Sequence, residues 1–536
     1  MDTTVEPTTN RFHERRWAIL GVLSLSVFLV VVDNTIVNVA LPTLARELSA
    51  TTSQLQWIVD AYSLVFAGLL LAAGSVGDRF GRKGALQAGL VVFAAMSVVA
   101  AFSGSAEQLI AARALMGIGA ALVFPATLAI LTNTFTEPSE RAKAIGIWSA
   151  VSGLAVALGP LTGGFLLEHF WWGSVFLVNV PIAAIAILLG RPLLPTSRDH
   201  HAGRPDPVGI VTSIAMITLL VWTVIEAPRH GWTAPQTVTG CVASAALLVG
   251  FVVWESRRRD PMLDVTVFRN ARFSAASFAV ATAFFGLFGF IFLVTQYFQV
   301  VRGYDTLSAG VHTLPFAVST AIVAPLAARL ALRIGTKVVV AGGLLSMSIG
   351  FLWAAGLGAT SPYWTSVVPS MVLMAAGLGL TMAPATEAIM GSLPLDKAGV
   401  GSAVNDTTRE IGGTLGVAVV GSVFSSLYGP QIAERFTAIG VPVQYTALAR
   451  ESVVAASEVA QRAPAAVRPA LADAASDAFL HGMAAGCRAA ALATFVGAAV
   501  ALALLPARAQ AVDEVAGEAS DEVAQGAGWL PEGAGV

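Results

Sequence analysis

Apolar residues run along this chain in blocks rather than in alternation, and the blocks are long enough to cross a bilayer. A hydrocarbon core about 30 Å thick needs about 20 predominantly apolar residues in helical form. Fourteen such stretches occur, at 17–39, 53–76, 84–103, 106–131, 143–167, 172–194, 208–227, 236–254, 273–298, 307–330, 337–358, 363–386, 399–427 and 486–506. Polar residues gather into short turns between them, with two exceptions. The stretch 428–485 is Ala-rich with interspersed charge and reads as a long, partly helical outside loop; the tail 507–536 is acidic and rich in Gly and Ala, and reads as disordered. The pattern predicts an all-α polytopic membrane protein with 14 transmembrane helices.

Composition sharpens that reading. Of 536 residues 56% are hydrophobic and only 12% charged, against about 25% charged in ordinary soluble domains. Soluble chains split into domains beyond about 250 to 300 residues, each adding charged surface, so a mean hydropathy of +0.74 excludes a soluble globular protein. The net charge of −2 leaves no basic field for nucleic acid. Cys241 and Cys487 both lie in apolar segments and read as small hydrophobes, neither a disulfide framework nor a metal site. A polar arm, 1–16, carries Arg11, Arg15 and Arg16; the span after it lacks a small-residue cleavage site and is expected to stay as an anchor. With the N-terminus in the cytoplasm, 21 of the 31 Lys and Arg fall inside, seven outside and three within spans. That asymmetry predicts both termini cytoplasmic, in an inner or plasma membrane.

Two of the basic turns look alike. GDRFGRKGAL (77–86) and ALRIGTKVVV (331–340) each join two spans with an Arg, a Gly and a Lys at matching offsets. The offset predicts two homologous six-helix halves, 17–194 and 272–506, flanking two inserted helices within 195–271, a 6+2+6 arrangement.

Ionisable side chains inside a span cost about 2.5 kcal/mol or more, so each is a site candidate. Asp33 lies 16 residues into the first span, about 24 Å along a helix; Asp60 and Arg113 each lie seven residues, about 10 Å, below the outer end of theirs. At one depth, two carboxylates and a guanidinium are the minimum hardware for proton coupling, because protonation frees the arginine to change partners. The alternative is a static Asp33–Arg113 pair that fixes helix register. In the thirteenth span Asp406 and Arg409 share a helix face beside Glu410, either as a substrate or gate element or as an internally neutralised helix start. Glu387 and Glu226 read as interfacial, and His312 as a packed histidine. Gly153, Gly159, Pro160, Gly163 and Gly164 crowd the fifth span, built for close packing and, through the proline, for a kink, or simply for ordinary glycine-mediated packing. No GxxxxGK[ST], HExxH or paired CxxC occurs, so no ATPase, metal or other cofactor is expected and energy must come from a gradient or a partner.

These motifs resemble a known family. The run Gly74-Ser-Val-Gly-Asp78-Arg79-Phe-Gly81-Arg82-Lys83 is similar to the loop between helices 2 and 3 of the major facilitator superfamily, and LIAARALMGIGAA (109–121), centred on Arg113, resembles its helix 4 motif. Gly153 through Gly164 resembles the helix 5 motif of its antiporters, and DNTIVNVALP (33–42) the helix 1 motif of its fourteen-helix drug:proton antiporter branch. The resemblance runs from 14 to about 506. It implies the major facilitator fold, a cytoplasmic gate braced by Asp78 and Arg79, proton coupling through Arg113, a seal or bend at Gly159 and Pro160, and proton or substrate binding at Asp33. Two departures stand out: WWGSVF (171–176) lacks the arginine this branch often carries there, and Leu332 replaces Asp78 in the second copy of the loop. The expectation is a proton-coupled exporter of lipophilic or cationic drugs embedded in lipid, with no enzymatic activity and no nucleic-acid partner, and with loop 428–485 available to a periplasmic partner. A dedicated exporter of one endogenous metabolite, antibiotic or lipid is the alternative; a structural or sensory subunit is the third.

Overall fold

The computed structural model describes residues 15–135, 137–196, 206–258, 261, 263–393 and 398–506, and among them all regular structure is helical. Most of the N-terminal arm and the acidic tail lie outside the described residues. In chain order the helices are α1 (Arg16–Glu47), α2 (Thr52–Phe80), α3 (Arg82–Ala101), α4 (Ala106–Thr134), α5 (Pro138–His169), α6 (Ser174–Leu193), α7 (Pro207–His230), α8 (Pro235–Arg257), α9 (Ala271–Val301), α10 (Thr306–Ile334), α11 (Thr336–Ala354), α12 (Tyr363–Met390), α13 (Ala398–Ile439), α14 (Val443–Glu451), α15 (Val453–Arg462) and α16 (Arg468–Leu504). Twelve helices among the described residues are long and apolar enough to cross a membrane. The two long helices outside that number, against fourteen expected spans, are α2 and α5, some of whose side chains are not among those described.

Helix starts follow local chemistry. Thr51 and Gln54 close a reciprocal capping box on α2, the Ser105 hydroxyl accepts from the Gln108 N–H at the start of α4, and the Glu137 carboxylate caps α5 at 2.8 Å. Both of the look-alike turns are made by one glycine: Gly81 (φ 113°) between α2 and α3, and Gly335 (φ 92°) between α10 and α11. A side chain there would be strained, so the repeat in sequence is a repeat in backbone shape.

The packing repeats as well. In the first six helices α1 packs on α5 and α6, α4 on α2 and α3, and α3 on α6. Among α9 to α13 and α16 the same relations recur, first helix with fifth and sixth, fourth with second and third, third with sixth. The two sets meet through α2 against α13, the first turns of α10 against α5, and α9 against α1. The inserted pair α7 and α8 sits outside the α2–α13 seam, with α7 touching both. At the basic end Asp206 ties this pair together, accepting from Val208 and Gly209 N–H, from Trp254 Nε1 at 2.9 Å, and pairing with Arg258 at 3.2 Å.

Hydrophobicity alone misjudged helix lengths. The stretch 428–485 is mostly not a loop: α13 continues to Ile439 and α16 begins at Arg468, leaving only α14 and α15 between them. These two short helices bury Ala449, Val453, Val454 and Ala456 and form a cap over the end opposite the basic turns. Thr52 Oγ1 donates to the Glu451 carbonyl at 2.8 Å, Tyr428 to the Ala449 carbonyl at 2.9 Å, and Arg229 pairs with the Glu451 carboxylate at 2.8 Å.

Glycines set how closely helices approach. A methyl group on Gly343 would lie 2.6 Å from Thr381 Oγ1 and 2.7 Å from the Gly377 carbonyl oxygen, whereas one on Gly342 would meet nothing within 4 Å. Gly343→Val should therefore destabilise the detergent-solubilised protein by about 1–3 kcal/mol, and Gly342→Ala should leave its thermal midpoint unchanged or raise it. Thermal unfolding followed by size-exclusion fluorescence checks the pair; equal midpoints would refute the close α11–α12 contact.

Candidate functional site

The first six helices converge on a buried ion pair. Asp33 sits midway along α1 and Arg113 two turns into α4, both with no solvent exposure. Arg113 Nη1 donates to Asp33 Oδ2, and its Nε donates to the Ile58 carbonyl of α2 at 3.1 Å. The guanidinium carbon stands 4.3 Å from the centre of the Tyr62 ring, and the Tyr62 hydroxyl reaches the Val30 carbonyl at 3.4 Å. On the other carboxylate oxygen, Oδ1, Asn179 Nδ2 of α6 donates at 2.7 Å and lies 3.3 Å from Ser97 Oγ of α3. Both oxygens of Asp33 thus have donors, the condition under which an ion pair survives burial.

Gly117, one turn along α4 from Arg113, makes this possible: a methyl group there would stand 2.6 Å from the Tyr62 carbonyl oxygen. The sequence placed Asp33, Asp60 and Arg113 at one depth, and the structure gives the arginine to Asp33. Neither oxygen of Asp60 has a hydrogen-bond partner among the described residues, although the side chain is fully buried; Arg113 Nη2 and Asn179 Oδ1 are likewise without one.

The polar group on α13 divides. Asp406 and Arg409 pair at 3.7 Å, Arg409 Nη2 reaches Thr386 Oγ1 of α12 at 3.4 Å, and its guanidinium stands 5.7 Å from the Phe284 ring of α9. Glu410 points the other way, and its carboxyl is met by the Ser63 hydroxyl of α2 across the seam. It lies twelve residues into α13, about 18 Å along the axis. Glu226 is half-buried, held by Ser53 at 3.1 Å and Arg229 at 3.7 Å, and Glu387 is exposed. His312 packs between the rings of Tyr304 and Tyr363, 4.4 and 4.5 Å away.

The glycine-rich stretch of α5 serves two neighbours. Gly159 and Gly163 pack against Thr35 and Ile36 of α1. Gly164 packs against α10, where a methyl group would lie 2.7 Å from Leu307 Cα, and the Pro160 carbonyl faces Gly310. In the 74–83 motif, Lys83 Nζ donates to the Arg191 carbonyl at 2.6 Å and Gly81 makes the turn. The side chains of Asp78 and Arg79, and Gly74 and Gly153, lie outside the described residues. Among the described residues no cluster of His, Cys, Asp and Glu is placed to hold a metal ion.

Sequence reasoning missed Asn179, Tyr62, Ser97 and Gln56. Gln56 Nε2 donates across the seam to the Val417 and Ala418 carbonyls at 3.2 and 3.1 Å, while Gln299 of α9 does the same to the Val39 carbonyl of α1 at 2.9 Å. Asn179, Tyr62, Ser97 and Gln56 lie within the apolar stretches and Gln299 one residue past the ninth; a search for uncharged amides and hydroxyls there, and not for ionisable groups alone, would have found them.

The model of the family described as Major Facilitator Superfamily matches residues 23–417. "Multidrug efflux pump LfrA" of Mycolicibacterium smegmatis is 38% identical over 508 residues, covering 93% of this chain and 99% of that protein. "Methyl viologen resistance protein SmvA" of Salmonella typhimurium is 36% identical, covering 87% of this chain and 93% of the other, and the "Tetracenomycin C resistance and export protein" of Streptomyces glaucescens is 32% identical, covering 91% of each. In three dimensions the chain resembles a bacterial homologue of the human lysosomal transporter Spinster, solved in an inward-facing, unoccupied conformation: the TM-score is 0.63 at 19% identity, over 92% of this chain and 98% of that one. A family match across most of the chain, near-full-length relatives and repeated six-helix packing lead to one conclusion: the chain belongs to the Major Facilitator Superfamily, as a multi-pass membrane transporter and not an enzyme.

Proposed function

We propose that the chain is a proton-coupled antiporter that exports lipophilic or cationic drugs across the cytoplasmic membrane by alternating access. The observation that carries the coupling is the fully buried Asp33, whose two oxygens are engaged by Arg113 and by Asn179. Protonation of Asp33 removes the charge that holds Arg113, so the proton is felt by α4, α2 and α6 together. Substrate class follows from the relatives, whose names include multidrug efflux and resistance to methyl viologen, a drug-like organic cation. The gradient supplies about 2.3 kcal/mol per charge per 100 mV, and no cofactor is required.

In this reading α2 and α5 complete fourteen spans, both termini are cytoplasmic, and the halves 17–194 and 272–506 rock about the seam with 195–271 as an inserted pair. The contacts between the two sets described above, Gln56 with α13, Gly164 with α10 and Gln299 with α1, sit toward the end opposite the basic turns. That supports a state closed outside and open to the cytoplasm. The cap formed by α14 and α15 is the surface open to a periplasmic partner, and lipid covers the exposed apolar faces.

Two outcomes are expected. In proteoliposomes with an internal pH dye, Asp33→Asn should abolish compound-driven proton movement, at least tenfold below the parent, for every drug transported; undiminished flux would exclude Asp33 as the coupling group. Gly164→Leu should hold the outer ends of α5 and α10 apart. Spin labels at positions 107 and 365, both exposed near that end, should then show a longer distance by electron resonance, with transport reduced more than tenfold; an unchanged distance would refute the seam as the outer closure.

A further inference from the structure

We propose that Asn179 is the positioning residue that holds the Asp33 carboxyl in both of its protonation states, and so sets the pH at which the carboxyl takes up its proton. This rests on the reading of Asp33 as the proton-carrying group. Arg113 has donors only: it is held most strongly by the ionised carboxylate and cannot accept from the O–H of the acid. An amide has a donor and an acceptor on one planar head, and its terminal torsion is broad and nearly two-fold. In the structure the donor half is in use: Nδ2 bonds Asp33 Oδ1 at 2.7 Å, with Ser97 Oγ at 3.3 Å. The acceptor half, Oδ1, is buried with no partner. A buried amide oxygen without a donor costs about 1–3 kcal/mol, a cost with no return in the state described.

Protonation supplies the return. When Asp33 Oδ1 accepts a proton from a hydronium of the aqueous side, a new O–H bond forms and the carboxylic acid becomes a donor. A half-turn of the Asn179 amide presents Oδ1 to that O–H and Nδ2 to the position Oδ1 vacates. Arg113 loses its charged partner and is held less tightly, while the acid stays held by the amide. Asn179 lies in the second turn of α6, three residues after the fully buried Phe176, and is itself fully buried. The charged and titratable groups facing Asp33 are Arg113 of α4 and Tyr62 of α2, whose ring underlies the guanidinium.

The test uses the full chain in lipid nanodiscs. The carboxylic C=O stretching band of Asp33 is identified as the band that Asp33→Asn removes from pH-difference infrared spectra, and its midpoint is compared with the pH profile of compound-driven proton flux in proteoliposomes. Asn179→Leu, near-isosteric but with neither donor nor acceptor, should move both midpoints to higher pH by about one unit, because both forms lose a bond and the charge-assisted one to the ionised form is the stronger. It should also shift the band to the frequency of a less hydrogen-bonded acid. Asn179→Ser, whose hydroxyl donates and accepts, should restore the parent midpoint. Ser97→Ala should shift it in the same direction as Asn179→Leu and by less, and this carries the test where the leucine variant does not assemble. An Asn179→Leu protein that titrates like the parent, with the Asp33 band present, overturns the proposal alone. Failure of Asp33→Asn to remove any band overturns the reading of Asp33 and this proposal with it.

Discussion

A guanidinium and a carboxylate with no solvent exposure, in the middle of a helical bundle, are the constraint around which the first six helices are arranged. Each ion alone would cost several kcal/mol to bury, and the cost is recovered only with close geometry and donors on every lone pair. One helix cannot supply that. Asp33 comes from α1, the arginine from α4, a carbonyl and an aromatic ring from α2, an amide from α6 and a hydroxyl from α3. The glycines follow from this: Gly117 lets α2 approach α4 where the arginine crosses, and Gly89 and Gly119 face one another where α3 crosses α4. In a membrane, where hydrophobicity does not press helices together, such small-residue contacts and polar bonds do the holding.

The second set of helices repeats the packing with different contents. Its first helix, α9, carries no carboxylate; its buried polar groups are hydroxyls and Gln296, which bonds its own helix at the Phe292 carbonyl. The ionisable residues sit on α13 instead, and Glu410 is turned toward the first set. The seam is joined by amide side chains donating to backbone carbonyls, Gln56 to α13 and Gln299 to α1. A neutral bond of that kind is worth about 0.5–1.5 kcal/mol net, since water replaces it when the partners separate. If the seam opens and closes as proposed above, bonds of this size serve it better than a buried ion pair would.

How much of this the sequence carried depends on what depends on depth alone. Hydropathy located the helices because membrane thickness fixes how many apolar residues a span needs, and charge inside those spans drew attention to Asp33, Arg113 and Glu410. It could not set helix ends: α1 runs eight residues beyond its apolar stretch and α13 twelve, as helix that needs no lipid. Nor could it choose between Asp33 and Asp60 as the partner of Arg113. Depth is read along a helix, but pairing depends on how each helix is turned about its axis, which tertiary packing decides. The uncharged members of the site, Asn179 and Tyr62, look like ordinary residues of an apolar span until Asp33 and Arg113 are placed against them.

Asp60 then takes its meaning from the seam. Gln56, Asp60 and Ser63 recur at i, i+4 and i+7 on α2 and share one face; Gln56 meets Val417 and Ala418, and Ser63 meets Glu410. The two helices therefore run past each other in opposite directions, and Asp60 falls level with Thr414. The Thr414 hydroxyl is buried without a partner, as are both oxygens of Asp60. Unsatisfied polar groups in a closed interface cost about 1–3 kcal/mol each, and that cost vanishes once the interface parts and admits water. In the alternating-access reading proposed above, the α2–α13 seam holds its closed form against a built-in bias toward opening, placed where the two six-helix sets would separate as the transporter turns outward.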